Sequence, residues 1–186
     1  MIISVYDHFD RPFDDKLNVP IHIYHSYKEA FIMKIGIIVY SQTGHTYEAA
    51  QKLQEKLSAS GHLVSIERIS PVDEKQMDPN KIQFKEVPDV SAYEALVFGA
   101  PVMGFSLSLP MTSLFMKIAS LSGKKVVCFI TKSLPFYWTG GTRAINTMVE
   151  TCKSKGANVS DSAMIIWKKH ETAINEMVEK FNKLFA

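Results

Sequence analysis

Residues 41 to 46 read SQTGHT, and their types suit one kind of chemistry. Ser41, Thr43 and Thr46 supply three hydroxyls, Gly44 has no Cβ, and His45 adds an imidazole. They lie between an apolar run, Ile35 to Tyr40, and a stripe at helical spacing formed by Ala49, Ala50, Leu53 and Leu57. A turn of this kind aims N–H groups and hydroxyls at one point on the positive end of a helix dipole, which makes a phosphate seat. The alternative is an ordinary helix start, capped by Thr46 or Ser41 and eased by Gly44. No Gly-Lys-Ser/Thr follows and the three-glycine dinucleotide pattern is missing, which argues against a nucleoside triphosphate or a Rossmann dinucleotide. His45 reads as a donor to phosphate rather than a catalytic acid. A second cluster, Phe136-Tyr137-Trp138 in KSLPFYWTGG, could meet a flat ring or could fold over the helix below. Three consecutive aromatics cannot all face inward, which favours a contact with ring or substrate from at least one. No residue is identified as a catalytic acid or base.

The elements that must position these residues follow from periodicity. Apolar runs bounded by loops predict strands at 35–40, 63–66, 95–100, 125–131 and 163–167. Helical stripes follow the first, third, fourth and fifth: Ala49 to Leu57, Met111 to Leu121, Ile145 to Cys152, and Ile174 to Phe185. Ser108 and Pro110 stand where a cap and a first-turn proline belong. Residues 69 to 92, with Pro71, Pro79 and Pro88, read as irregular chain with room for one short helix. Alternation of this kind predicts a parallel sheet with helices on both faces. Ligands of open sheets bind beyond the carboxyl ends of strands, where the strand order reverses. SQTGHT, PVMGFSLS and KSLPFYWTGG each follow a strand, so three loops can share one ligand with a phosphate at one end and a flat ring at the other.

Composition bounds the alternatives. A chain of 186 residues with 46% hydrophobic and 22% charged residues is globular. Net charge is +2, and Lys124-Lys125 and Lys168-Lys169 are isolated pairs, so no nucleic-acid partner is expected. No apolar run reaches membrane-spanning length, and Asp7, Asp10, Asp14 and Asp15 do not fit a signal peptide, so no membrane and a cytoplasmic location are expected. Cys128 and Cys152 read as reduced core residues. His22 and His25 are three apart but outside the motif-bearing region, and no metal site is expected.

From Lys34 to Ala186 the chain resembles the flavodoxin family. SQTGHT is similar to that family's phosphate loop, Thr/Ser-x-Thr-Gly-x-Thr. The resemblance implies an α/β fold: a three-layer α-β-α sandwich around a five-stranded parallel sheet in the order 2-1-3-4-5. It implies FMN as the cofactor. Ser41, Thr43, Gly44, His45 and Thr46 would hold the phosphate, with Gln42 contributing backbone. YEALVFGAPVMG looks like the third strand and first flavin loop, putting Pro101, Val102, Met103 and Gly104 beside the isoalloxazine. Residues 131 to 141 look like the second flavin loop, with Thr131, Lys132, Ser133, Phe136, Tyr137, Trp138, Gly140 and Gly141 around the ring. Met103 could instead be gap-filling core, and Phe105, Leu107 and Leu109 could pack the next helix. Residues 1–33 form an arm ahead of the domain at 34–186, an extension or a misplaced start expected to pack outside the core sheet.

The sequence departs from that family in several places. Histidine stands at 45 where many members have asparagine, as also occurs in the quinone-reductase branch of the superfamily. Met103 replaces the aromatic that electron-transfer flavodoxins usually place on the ring. The flavin loops carry no acidic residue, the sequence pI is about 8.4, and Lys132 and Arg143, both expected to reach solvent, flank the second loop. These features favour an NAD(P)H-dependent FMN reductase acting on a quinone or similar acceptor over a non-enzymatic electron carrier that docks with a redox partner protein. A flavodoxin-like module acting through contacts, and a homodimer, are left open.

Overall fold

The computed structural model describes Phe13–Asp14, Val19–Pro20 and residues 32–186. The first two segments pair antiparallel. Other expectations for residues 1–31, including His22 and His25, lie outside the described residues. The chain divides into units 1–32 and 33–186, and the second carries everything below.

Its sheet is built from β1 (Lys34–Val39), β2 (Leu63–Arg68), β3 (Ala95–Met103), β5 (Lys125–Lys132) and β6 (Asn158–Ile166), all parallel, in the order β2-β1-β3-β5-β6. This is the 2-1-3-4-5 path expected, with one addition: a two-residue strand β4 (Ser106–Leu107) folds back antiparallel on β3. Ile37 of β1 stands between Ile66 of β2 and Val97 of β3. Helices α1 (His45–Ala59) and α4 (His170–Phe185) bury Leu53, Leu57, Met177 and Phe181 against one face. On the other face, α2 (Leu109–Lys117) and α3 (Gly141–Ser154) bury Met111, Leu114, Ile145 and Met148. The continuous apolar strands β1, β3 and β5 are central and covered on both faces, as their composition requires.

Two boundaries differ notably from those the sequence suggests. β6 begins at Asn158, five residues early, because an edge strand tolerates the exposed Ser160 and the half-exposed Asp161 and Ser162 that break its apolar run. Ser160 is also the residue left over by a bulge, since Val126 pairs with Val159 but Val127 with Asp161. α2 ends at Lys117, so the last residues of its stripe, Ile118 and Leu121, are buried from non-helical chain. The connection between β2 and β3 holds one isolated bridge, Pro71 to Phe84, and a 3₁₀ turn at Val90–Ala92. Cys128 and Cys152 are free and buried, with their sulfurs 4.0 Å apart. Their mutual hydrogen bond and burial push the Cys128 thiol well above its ordinary range.

Candidate functional site

The chain leaves β1 in one direction along the sheet to make β2 and returns on the other side to make β3, so the order reverses between β1 and β3. The SQTGHT loop lies at the end of β1. Gly44, at φ 93, turns the chain into α1, whose first internal bond runs from the Glu48 N–H to the Gly44 carbonyl. The His45 and Thr46 N–H groups at this open helix end therefore have no acceptor within the helix. Gly44, at the helix boundary, has no side chain to cap with, and Thr46 does not cap the helix, but Ser41 reaches one of its free N–H groups from before the turn. Ser41 is buried, and its hydroxyl accepts from the Tyr47 N–H at 3.2 Å. Thr46 is also buried, with its hydroxyl 2.8 Å from that of Thr131 at the end of β5. Thr43 and Gln42 are exposed.

Two contacts that the sequence reading missed brace this loop. Arg68, the last residue of β2, donates from Nη2 to the Ser41 carbonyl at 2.6 Å and lies over the Tyr47 ring, 5.4 Å from its centroid. Trp167, directly after β6, stacks on His45 with centroids 3.8 Å apart and planes 14° apart. The only signal in the sequence for either is its place at a strand's carboxyl end.

Around the switch point, a pocket of ≈ 140 Å³ is lined by Gln42, Thr43, His45, Thr46, Pro101, Val102, Met103, Thr131, Lys132 and Ser133. Ten expected residues thus meet in one place. A second pocket, ≈ 190 Å³, shares Val102, Lys132 and Ser133 and adds Gly104, Phe105, Leu134 and Thr139. The hairpin tip between them is Gly104-Phe105, both with positive φ (55° and 61°), the signature of a type I′ turn. Val102 pairs with Leu107 and Met103 with Ser106 across it. Leu107 is core and Leu109 half-buried, but Phe105 stands out in solvent. On its far side the hairpin lines an apolar groove of ≈ 310 Å³, where the Tyr40 hydroxyl donates to Glu74 at 2.7 Å. Burial first, and then that bond to a carboxylate, holds the Tyr40 phenol well above its ordinary pKa.

The second loop departs most from expectation. Phe136 and Trp138 line neither pocket over the switch point; they stack on each other (centroids 5.5 Å, planes 7°), with Phe105 tilted against Trp138 at 6.4 Å. All three are exposed. The side chain of Tyr137 lies outside the described residues. Gly140 and Gly141 act as backbone. A Cβ on Gly140 would lie 2.0 Å from the Phe105 carbonyl oxygen, so this glycine lets the hairpin tip rest on the start of α3. Lys132 does not reach solvent as expected. It is only 7% exposed, and its Nζ donates to the Phe136 carbonyl at 3.0 Å. Arg143 is exposed, as expected.

The donor set fits a phosphate monoester: an open helix end, an exposed Thr43 hydroxyl, an imidazole edge and no carboxylate among the lining residues. The shared pocket floor, apolar on the hairpin side, fits a flat ring. Among the described residues, no cluster of His, Cys, Asp or Glu could hold a metal, and no helix is long and apolar enough to cross a membrane.

The sequence profile of the family described as Flavodoxin matches residues 37–181. No curated protein matches the chain by sequence. Among solved structures, oxidised Flavodoxin 2 from Bacillus cereus is 22% identical with a TM-score of 0.63, covering 82% of this chain and 97% of its own. A flavoprotein in complex with FMN from Lactobacillus acidophilus NCFM is 18% identical (TM-score 0.55; 77% and 97%). The WrbA-like flavodoxin from Agrobacterium tumefaciens is 13% identical (TM-score 0.59; 83% and 99%). At these identities the likeness is one of fold.

Proposed function

The chain belongs to the flavodoxin family, with FMN as its cofactor, and we propose that it is an FMN-dependent reductase that takes reducing equivalents from NAD(P)H and delivers them to a quinone or similar acceptor. Bound FMN would supply the capacity to take up hydride from a nicotinamide and pass two electrons on. The protein contributes position and electrostatics. In this reading Thr43, His45 and the N–H groups of His45 and Thr46 hold the phosphate, while Thr131, already bonded to Thr46, keeps that helix start in place. Val102, Met103 and Gly104 face one side of the ring pocket; Lys132, Ser133, Leu134 and Thr139 face the other.

The observation that carries the proposal is Lys132. It is a buried cation shared by both pockets, tied to a backbone carbonyl, with no carboxylate among the residues lining either pocket. A fixed positive charge stabilises the negative charge a flavin gains on reduction, and burial protects that effect from salt. This supports two-electron exchange with nicotinamide at moderate potential over low-potential delivery of single electrons. Incubating FMN-loaded protein with reduced nicotinamide and a quinone tests it: steady, enzyme-dependent consumption of NAD(P)H is expected, and negligible turnover would overturn the proposal. One observation favours the second reading, a non-enzymatic carrier: the exposed Phe105, Phe136 and Trp138 offer a partner protein an apolar surface beside the ring pocket.

A further inference from the structure

We infer that Trp167 is a positioning residue for the phosphate seat, acting through the ring of His45. The inference rests on the phosphate reading of the loop given above. His45 is the first residue of α1, and its backbone is fixed by the turn at Gly44. Its side chain could still swing about the Cα–Cβ bond. The indole of Trp167 removes that freedom by taking the imidazole face to face at 3.8 Å and 14°. Trp167 is itself held from the other face by His170, with centroids 4.3 Å apart and planes at 13°. The His170 ring is tied in turn, its Nδ1 lying 2.9 Å from the Trp167 carbonyl oxygen. Trp167 also packs against the core beneath α1 and α4, so the middle ring of the stack is anchored to the sheet.

This arrangement has a chemical consequence. The indole covers one face of His45, and His45 lines the pocket, so the plane of its ring is set relative to that pocket. Nitrogen-borne hydrogens lie in the ring plane, so stacking aims the donors. The stack thereby adds a fourth strand end, that of β6, to a pocket otherwise built from the ends of β1, β3 and β5.

The test uses the full chain freed of flavin and titrated separately with FMN and riboflavin, with flavin fluorescence as the readout. Trp167→Leu keeps apolar bulk but removes the ring, and Trp167→Phe restores a ring. Trp167→Leu should weaken FMN about tenfold while leaving riboflavin unchanged, the loss of roughly one well-aimed charge-assisted bond. Trp167→Phe should recover most of the loss, and Trp167→Leu should add nothing in a His45→Ala background. Proton NMR without flavin gives an independent readout: the His45 ring protons should be shifted upfield by the indole and return to ordinary positions in Trp167→Leu. Equal losses for FMN and riboflavin, an undiminished loss on top of His45→Ala, no loss at all, or no ring-current shift would each overturn the role. If the unsubstituted protein binds FMN no tighter than riboflavin, the phosphate reading fails first and takes this inference with it, a result visible before any substitution is made.

Discussion

At the phosphate end, Ser41 and Thr46 are buried and already bonded within the protein, with Arg68 and Trp167 bracing the loop from outside. At the ring end, Phe105, Phe136 and Trp138 stand in solvent and touch chiefly one another. The first end is fixed before any ligand arrives, so little entropy remains to be lost when a phosphate binds there. The second is held by backbone: a two-residue hairpin turn resting on a glycine. Its side chains are free to rearrange around a ring or a partner. Affinity should therefore come mainly from the phosphate end, while the ring end sets reactivity and what may approach.

The glycines of the two ends test this difference most severely. Gly140 has φ 81 and no room, since a Cβ there would lie 2.0 Å from the Phe105 carbonyl oxygen. Gly44 has φ 93 but nothing within 4 Å of the same position. Gly140→Ala combines left-handed strain with a backbone clash and should cost about 3 kcal/mol, lowering Tm by about 6–12 °C. It should also weaken riboflavin as much as FMN, because it displaces the hairpin. Gly44→Ala carries the strain alone, about 1 kcal/mol and about 2–4 °C, and its binding loss should fall on FMN. Thermal melts with parallel titrations decide the matter; similar Tm losses for the two variants would mean that the hairpin does not rest on Gly140.

Next in size is the division of labour among the hydroxyls. Thr43 is exposed and lines the pocket, so Thr43→Ala should leave stability unchanged and weaken FMN by about 1.5–3 kcal/mol, the worth of a hydrogen bond to a charged group. Riboflavin, which lacks the phosphate, should bind as before. Thr46→Ala also strips the partner from the buried Thr131 hydroxyl, so about 1–3 kcal/mol of stability should go with it. A Thr43→Ala protein with unaltered preference for FMN would remove the hydroxyl from the phosphate seat.

The same contrast explains what could be read from sequence. Strand order and helix faces were legible because the central strands are covered on both sides and must be apolar throughout. The extent of β6 was not, because an edge strand may carry Asn158, Ser160 and Asp161. The loop at 41–46 was legible as a candidate phosphate seat because such a seat needs a residue free of Cβ and several short hydroxyl side chains at fixed spacing. The stack of His45 on Trp167 was not, because it joins residues 122 apart by number through a helix start and a strand end, and no local pattern encodes it. Aromatics at 136–138 were expected on the ring, yet composition says nothing about direction, and Phe136 and Trp138 satisfy each other instead. Lys132 was misjudged for a related reason. As the last residue of β5 it looked like a lysine at a strand end, which normally reaches water, but the loop that follows folds over it and offers the Phe136 carbonyl.

That burial turns two cations of similar sequence context into a final comparison. Lys132 is buried beside both pockets and Arg143 is exposed on the first turn of α3. A unit charge about 8 Å from a reducible ring, at an effective dielectric of about 20, is worth about 2 kcal/mol, or about 40 mV on a two-electron couple. Removing a positive charge disfavours the added electrons, so the shift is downward. Lys132→Gln, which keeps a donor for the Phe136 carbonyl, should lower the midpoint potential of the bound flavin by about that amount, and added salt should barely alter it. Arg143→Gln should produce a smaller drop that fades as salt rises to about 1 M, where the screening length is about 3 Å. Spectroelectrochemistry at two ionic strengths measures both. A Lys132→Gln shift that salt abolishes would mean the ammonium reaches water and behaves as Arg143 does; no shift at all would remove Lys132 from the ring's electrostatics and with it the main support for two-electron exchange.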